Sequence, residues 1–318
     1  MKIIKRIFIL SLCIMLSFCF AGCKNQNDHS SKWKKEYDLS SPDLKDAGEG
    51  KENANKDGWY LTMIDDFDGD KLSDYWDSPK DYLREKEMYW CDSCAFLEDG
   101  LLKIRAEKME NHKCGKTHSK PSKTVSTAVD SNYYGGEEGK RLFEQAYGYF
   151  EVRCKIPDSD GMWCAFWLQN PNQGRIGDKG IDASEIDIFE SSFYKHKTKV
   201  GSCIHYDGYA EHHHSIGAVH DVGTDTYDGF HTYAVKWTPE EYVFYFDGKP
   251  TWATDAGGVC TTPCFIRFTV QSLPKGKVGP HGQRMGEFTG GDFEIDYVKV
   301  YQNENYLDFI KSPEDFKR

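Results

Sequence analysis

The sequence predicts an all-β protein, built as a sandwich or a barrel. Long helical periodicity is nearly absent, and short runs in which apolar and polar residues alternate recur along the chain. The clearest of these runs occupy 101–105, 148–153, 231–237 and 293–301. Turn pairs such as Asp99-Gly100 and Asp247-Gly248 punctuate them. Many short strands separated by such turns are typical of sandwiches and barrels.

The first 22 residues have the pattern of a lipoprotein signal peptide. Positive charges at the start precede an apolar run over 7–20, which is short for a membrane span. The run ends in Phe-Ala-Gly-Cys at 20–23, which resembles a bacterial lipoprotein cleavage box. We therefore expect an exported protein, anchored to the cell membrane by a lipid on Cys23 and facing outward. Ordinary secretion is the alternative.

The rest of the chain divides by composition into three parts. Residues 23–57 are polar, so burial cannot offset the entropy of ordering them, and we predict a flexible tether. Residues 58–302 carry the strand patterns and predict the globular domain. Residues 303–318 are interpreted as a short polar tail, and no internal repeat is evident.

Charge and motif content exclude some classes of function. The net charge is −11 and the isoelectric point is near 5.5, whereas binding to nucleic acid phosphates needs a basic field. The sequence has no glycine-rich phosphate loop and no dinucleotide-binding fingerprint. We therefore expect no nucleic-acid partner, and membrane contact through the lipid anchor alone.

Cysteine content permits disulfides in an exported protein. The chain has eleven cysteines, and eight of them follow Cys23. Cys260 and Cys264 could close a small loop, and one pair is plausible among Cys91, Cys94 and Cys114.

The stretch 184–191 concentrates carboxylates within an apolar segment. Side chains alternate along a strand, so Glu185 and Asp187 share one face. Strict alternation would turn Glu190 to the other face, but one extra residue, a β-bulge around Ile188 and Phe189, would bring it back. The spacing therefore predicts three carboxylates on a single surface.

Such a trio has the groups that glycosidic bond cleavage needs. Like charges at close range repel, so at least one carboxyl should keep its proton near neutral pH. One proton donor beside one ionised carboxylate can break the linkage between two sugars. An edge strand with solvated acids, or a calcium cluster, would fit the same spacing.

Several blocks together resemble glycoside hydrolase family 16. The signature is a strand bearing Glu-x-Asp-x-x-Glu, here Glu185, Asp187 and Glu190. Four further blocks agree in order with the family over roughly 63–302, namely 64–69, 96–102, 147–167 and 293–302. The resemblance implies a β-jelly-roll, concanavalin A-like sandwich of two curved antiparallel sheets with an open concave cleft.

The resemblance also implies catalytic roles. Glu185 would be the nucleophile that forms a covalent glycosyl-enzyme. Glu190 would be the general acid and then the general base. Asp187 would bond the nucleophile and tune both acidities, and the anomeric configuration would be retained. No cofactor is expected for catalysis.

Sugar contacts and one structural metal site follow from the resemblance in the same way. His205 fits the strand beside the acids, although a purely structural histidine is the alternative. The run 212–214 of three histidines is interpreted as a solvated loop at the cleft edge. The remaining implied sugar contacts are Trp167, Trp163, Glu87, Trp90 and Gln271. A structural calcium would involve Asp66, Gly100 and Asp296.

The expected function is an endo-acting β-glycanase acting on a polysaccharide as a monomer. The favoured substrate is a β-1,3- or mixed β-1,3/1,4-glucan. A β-galactan of the agar, carrageenan or mucin type is the alternative, because 180–184 lacks the tryptophan that glucan-cleaving relatives usually carry before the acidic strand. A non-catalytic lectin on the same sandwich would have lost one of the three acids. Hydrolysis and transglycosylation stay open.

Overall fold

The computed structural model describes residues 36–80, 82–85, 88–112, 123–135, 140–191, 193–255 and 257–316. Within these ranges the chain forms seventeen strands and six short 3₁₀ turns. The strands are β1 Trp59–Asp65, β2 Tyr82–Glu85, β3 Met88–Trp90, β4 Ala95–Glu98, β5 Leu101–Lys108, β6 Thr124–Ser126, β7 Ala128–Asp130, β8 Gly148–Lys155, β9 Met162–Gln169, β10 Ser184–Ser191, β11 Lys199–Tyr206, β12 His214–Asp221, β13 His231–Trp237, β14 Tyr242–Phe246, β15 Lys249–Thr254, β16 Phe265–Ser272 and β17 Gly291–Asn303. The 3₁₀ turns are Lys51–Asn53, Asp92–Cys94, Met109–Asn111, Pro280–Gly282, Glu304–Phe309 and Pro313–Phe316.

The strands form two sheets, which confirms the predicted β-jelly-roll sandwich. The larger sheet has eleven strands in the order β15-β14-β13-β8-β17-β5-β6-β3-β2, with β1 beside β17 and β4 beside β5. The smaller sheet has six strands in the order β12-β11-β10-β9-β16-β7. Pairing is antiparallel except between β3 and β6. The acidic strand β10 lies inside the smaller sheet, between β9 and β11.

The core lies between the two sheets and explains why the acids face away from it. Alternate residues of the smaller sheet point inward, among them Phe166, Ile186, Phe189 and Phe268. Phe189 stacks on Tyr233 of the larger sheet with ring centroids 4.1 Å apart. The residues between these positions point to the opposite surface, which we call the carboxylate face of the smaller sheet.

Two hairpin turns have the conformation that their sequence predicts. Asp99 and Gly100 join β4 to β5 with φ angles of 57° and 70°, and Asp247 and Gly248 join β14 to β15 with φ angles of 45° and 70°. Positive φ at both central positions is the mark of a type I′ turn, whose twist matches that of the flanking strands.

The prediction of a flexible tether is wrong for residues 36–57. The buried Lys236 ammonium donates to the backbone oxygens of Asp38 and Ser40 at 2.7 and 2.8 Å, and Glu49 bridges to Leu61 of β1. The segment has little apolar surface to bury, but its backbone groups bond to the larger sheet. These bonds supply the order that composition alone did not predict.

The segment predicted as a short polar tail packs, in its described part, against the sandwich. Lys311 donates its backbone N–H to the Thr261 carbonyl at 2.9 Å, and Arg175 donates to the Pro313 carbonyl at 2.7 Å. Tyr306 packs edge-on against Trp59 of β1. The chain therefore returns to the body of the sandwich after β17.

Cys260 and Cys264 do not form the predicted disulfide. Both are buried thiols, and the amide of Asn170 lies 3.8 Å from each sulfur. The predicted partner Cys114 and the lipidation site Cys23 lie outside the described residues. Among the described residues there is no helix of the length and apolarity needed to cross a membrane.

Candidate active site

The predicted bulge is present in β10 and brings the three acids to the carboxylate face. The register with β11 pairs Glu185 with His205 and Asp187 with Cys203, and it then shifts before Glu190 pairs with Gly201. The register with β9 shifts at the same place. The extra residue restores the orientation that strict alternation would have reversed.

Burial and mutual repulsion make Asp187 hold its proton to higher pH. Asp187 and Glu190 are each only 4% exposed, whereas Glu185 is partly open to solvent. The pKa of Asp187 is raised well above its ordinary value, first by burial and then by the charges of Glu190 and Glu185. Asp187 therefore takes up its proton at a higher pH than an isolated carboxyl group does.

His205 lies over the acids as predicted. Its Nε2 atom is 3.1 Å from Asp187 Oδ2 and 4.0 Å from Glu185 Oε1. Burial opposes the charge on His205, but the nearby carboxylates outweigh it and raise the pKa of His205 to about 9. The imidazolium thus offsets part of the negative charge of the trio.

His213 contributes to the site, so the three-histidine run is not simply a solvated loop. The His213 ring stacks on His205 at 5.1 Å, and its Nε2 lies 2.8 Å from His205 Nδ1. Burial and the neighbouring His205 lower the pKa of His213 to about 4. A neutral His213 accepts the Nδ1 proton of His205 and fixes the direction of its ring.

A chain of hydrogen bonds leads from the sheet to Glu185. Tyr209 donates its hydroxyl to Glu185 Oε2, and Gln169 donates to the Tyr209 oxygen at 2.9 Å. Arg267 in turn donates to Gln169 Oε1 at 2.7 Å and pairs with the buried Asp130 at 2.9 Å. These contacts hold one carboxylate oxygen of Glu185 in a fixed direction.

Glu190 has a different neighbour, which comes from a loop. His281 Nε2 lies 2.9 Å from Glu190 Oε2. His281 belongs to the connection between β16 and β17, some ninety residues beyond Glu190 in the chain. Neither Tyr209 nor His281 was predicted as a site residue, because loop residues carry no periodic signal that places them against a distant strand.

The structure places three of the predicted sugar contacts on the carboxylate face. Trp163 and Trp167 lie on β9 and Gln271 lies on β16, in positions that alternate with core residues. The Arg267 guanidinium covers part of the Trp167 ring, 4.4 Å from its centroid. Trp163 is partly exposed, whereas Trp167 and Gln271 are buried on this face, and their contact with sugar stays a prediction.

The prediction of a sugar contact at Trp90 is wrong. Trp90 has no exposed surface and packs with Met88 and Ala128. The resemblance implied a sugar contact here, but β3 turns this side chain inward. Glu87 lies outside the described residues.

Two of the residues predicted to hold calcium have other partners in the structure, and calcium binding at this place stays a prediction. Asp296 accepts from the guanidinium of Arg153, which already neutralises its charge. Asp66 Oδ1 accepts a long 3.4 Å bond from the backbone of Asp68. No cluster of three ligating side chains among the described residues includes Asp66 or Asp296.

Comparison with known proteins identifies the family. The family model "Glycosyl hydrolases family 16" matches residues 105–269, slightly more than half of the chain, including the acidic strand. The chain belongs to glycosyl hydrolase family 16. Its expected fold and the predicted family are thereby confirmed.

Relatives within family 16 agree with this assignment. An endo-1,3-1,4-beta-glycanase, EglC, of Rhizobium meliloti (strain 1021) is 33% identical over 159 residues, which are 50% of this chain and 31% of that protein. The chain therefore spans about a third of the length of this relative.

Solved structures show the same fold. One structure comes from work on endo-acting O-glycanases with which members of the human gut microbiota initiate mucin breakdown. It matches with a TM-score of 0.62 and 24% identity, and the match covers 82% of this chain and 98% of that chain. The laminarinase catalytic domain of Thermotoga maritima MSB8 has a TM-score of 0.59 at 24% identity and covers 78% of this chain and 100% of that chain.

Proposed function

We propose that this chain is a retaining, endo-acting glycoside hydrolase that cleaves a β-linked polysaccharide. One observation carries the proposal: the bulge in β10 sets Glu185, Asp187 and Glu190 side by side on the carboxylate face. Two carboxyl groups of different environment on one face are what a two-step glycosidase needs.

In the first step Glu185 attacks the anomeric carbon and the glycosidic C–O bond breaks. Its Oε2 is held by Tyr209, which leaves the other oxygen to attack. Glu190 gives its proton to the departing oxygen, so the leaving sugar departs as a neutral alcohol. The product is a covalent glycosyl-enzyme on Glu185.

In the second step the roles of Glu190 reverse. The ionised Glu190 takes a proton from water, the water oxygen bonds to the anomeric carbon, and the bond to Glu185 breaks. Two inversions give net retention. Asp187 and His205 reduce the negative charge around the two glutamates. The pKa values of both are raised, so Asp187 keeps its proton and His205 its positive charge to higher pH than usual.

The favoured substrate is a β-1,3- or mixed β-1,3/1,4-glucan. The relative EglC, which is 33% identical over half of this chain, is named an endo-1,3-1,4-beta-glycanase. Trp163, which is partly exposed on the carboxylate face, is suited to stack on the apolar face of a sugar ring.

A mucin-type or other β-galactan chain is the second candidate. It is favoured by the absence of a tryptophan at 180–184, just before the acidic strand. The likeness to the endo-acting O-glycanase structure over 82% of the chain is consistent with it.

A panel of polysaccharides tests the proposal and separates these candidates. The panel contains β-1,3-glucan, mixed-linkage β-glucan, agarose, carrageenan and mucin, and products are read by chain length and by the anomeric configuration of the new reducing end. Oligosaccharides of intermediate length with retained configuration support the proposal. Release of single sugars from chain ends, inversion, or binding without cleavage of any of the five contradicts it.

A further inference from the structure

His281 covers the carboxyl group to which we assign proton transfer. Its Nε2 lies 2.9 Å from Glu190 Oε2, and the two side chains are 1% and 5% exposed. The contact is within ion-pair distance but is not aligned as a linear hydrogen bond, and neither atom has another hydrogen-bond partner among the described residues. The immediate surroundings of this oxygen are therefore set by His281.

The backbone at His281 adopts a conformation that needs support. Its φ and ψ angles are 61° and 15°, in the left-handed region that residues with a side chain rarely occupy. Such a conformation persists where the surrounding contacts hold it. The His281 ring is held by Phe193, with ring centroids 5.8 Å apart and planes inclined by 26°.

Gly201 provides the space in which the His281 ring lies. It is the residue of β11 that pairs directly with Glu190. A Cβ atom added at Gly201 would lie 2.2 Å from His281 Nε2, far inside contact distance. The residue opposite the acid is thus one that leaves room for His281, which is an observation independent of the distance between His281 and Glu190.

We propose that His281 is a positioning residue for Glu190. This inference rests on the proposed function, in which Glu190 transfers the proton. His281 holds the carboxyl group of Glu190 toward the carboxylate face and excludes water from its Oε2 atom, so that the proton passes between Glu190 and the glycosidic oxygen and, in the second step, between water and Glu190. His281 itself exchanges no proton with the sugar.

A leaving-group comparison distinguishes this role from a merely structural one. Cleavage of a 2,4-dinitrophenyl glycoside needs no proton donor in the first step, whereas a phenyl glycoside needs one. The value of kcat/KM reports on the first step when that step is irreversible. The probes are the 2,4-dinitrophenyl and phenyl β-glycosides of the disaccharide unit that the polysaccharide panel identifies.

Two variants carry the test, and a third is the matched control. His281→Ala removes the ring, and Gly201→Ala displaces it while leaving His281 in the sequence. Gly174→Ala is the control, because a Cβ there meets nothing within 4 Å. We expect both test variants to lower kcat/KM for the phenyl glycoside by about tenfold or more and for the dinitrophenyl glycoside by less than about threefold, since only the first requires the acid. The control should change neither, and His281→Gln should recover part of the loss.

The outcomes separate this inference from the proposed function. A wild-type enzyme that cleaves both glycosides while His281→Ala and Gly201→Ala slow them equally, or not at all, overturns the role of His281 alone. Should His281→Ala fail to fold, Gly201→Ala decides by the same ratio. A wild-type protein that cleaves no polysaccharide of the panel overturns the function, and the inference with it.

Discussion

Burial and closely spaced charges change the pKa values of two residues of the site. Asp187 and His205 face each other at 3.1 Å, and the pKa of each is raised. For Asp187 the leading cause is burial, and for His205 it is the surrounding carboxylates acting against burial. The native protein consequently binds more protons at this pair than the unfolded chain does, and its stability must depend on pH.

The stability supplied by this pair should fall as the pH rises. Below pH 6.5 His205 is protonated in both the folded and the unfolded chain, so its contribution is fully present; it is lost as the pH rises through about 9. The double variant Asp187→Asn/His205→Asn lacks both titrations. We expect the melting temperature of the wild type to fall relative to that of the double variant between pH 6.5 and 9, measured by thermal unfolding. Parallel curves across that range would show that the pair is not titrating as described.

Glu190 should be replaceable by a small anion. Glu190→Ala is expected to lower turnover by roughly 10²–10⁴-fold, the usual contribution of a general acid or base. Azide can attack the glycosyl-enzyme without a base, so added azide should restore turnover of a dinitrophenyl glycoside and yield a glycosyl azide of retained configuration. The same azide concentrations should leave the wild type nearly unchanged. Absence of rescue would move the acid/base role to another residue.

The element that decides the site is the bulge in β10. Deleting Ile188 removes the extra residue and leaves Glu185 and Glu190 an even number of positions apart, so both still face the same side. Deleting both Ile188 and Phe189 instead leaves the two glutamates an odd number of positions apart, so strict alternation turns Glu190 to the core side. We expect the single deletion to keep measurable activity and the double deletion to fall to the level of Glu190→Ala, compared at equal folded concentration by circular dichroism. An active double-deletion variant would refute the proposed geometry.

The polar segment before β1 is a second element with a testable anchor. The buried Lys236 donates to backbone oxygens of Asp38 and Ser40. Lys236→Met should release the segment at a cost of about 1–3 kcal/mol in unfolding free energy, because hydrogen bonds to a buried charge are lost. Limited proteolysis within 36–57 should accelerate. The exposed Lys249→Met is the matched control, and equal proteolysis of both variants would count against the anchor.

Local patterns predicted the elements, and long-range contacts decided the rest. The bulge could be predicted because three acids in one apolar strand leave few arrangements, and the turn pairs Asp99-Gly100 and Asp247-Gly248 specify their own φ angles. Tyr209 and His281 could not be predicted, because each reaches the acids from a loop whose path depends on the whole sandwich. The predicted sugar contact at Trp90 was wrong for the same reason, because the orientation of the three-residue strand β3 depends on the strands beside it.

At the scale of the whole molecule, the two-sheet sandwich turns one face of the smaller sheet away from the core and carries the acids there, on a strand inside that sheet. The family match at 105–269 covers five of the six strands of this sheet and most of β16. We also propose that the chain is exported and held at the cell surface, on the basis of the apolar run and Cys23 at its start. A surface position would suit an enzyme whose polymer substrate cannot enter the cell.

The lipid anchor gives a prediction that is independent of catalysis. Cys23→Ala removes the thiol that would carry the lipid, so the protein should move from the membrane fraction to the soluble fraction after cell fractionation, with unchanged activity per molecule. An adjacent Lys24→Ala variant should stay with the membranes. Membrane association that survives Cys23→Ala would reject the anchor.

Turnover by Glu185→Gln tests the central claim most directly. The substitution keeps the size of the side chain and its contact with Tyr209 but removes the nucleophile, so cleavage of the polysaccharide that the wild type degrades should fall by about a thousandfold or more. The melting temperature and the affinity for the polysaccharide should stay close to those of the wild type. A folded Glu185→Gln protein that cleaves the polysaccharide at a comparable rate would contradict the assignment of Glu185 and the two-step mechanism built on it.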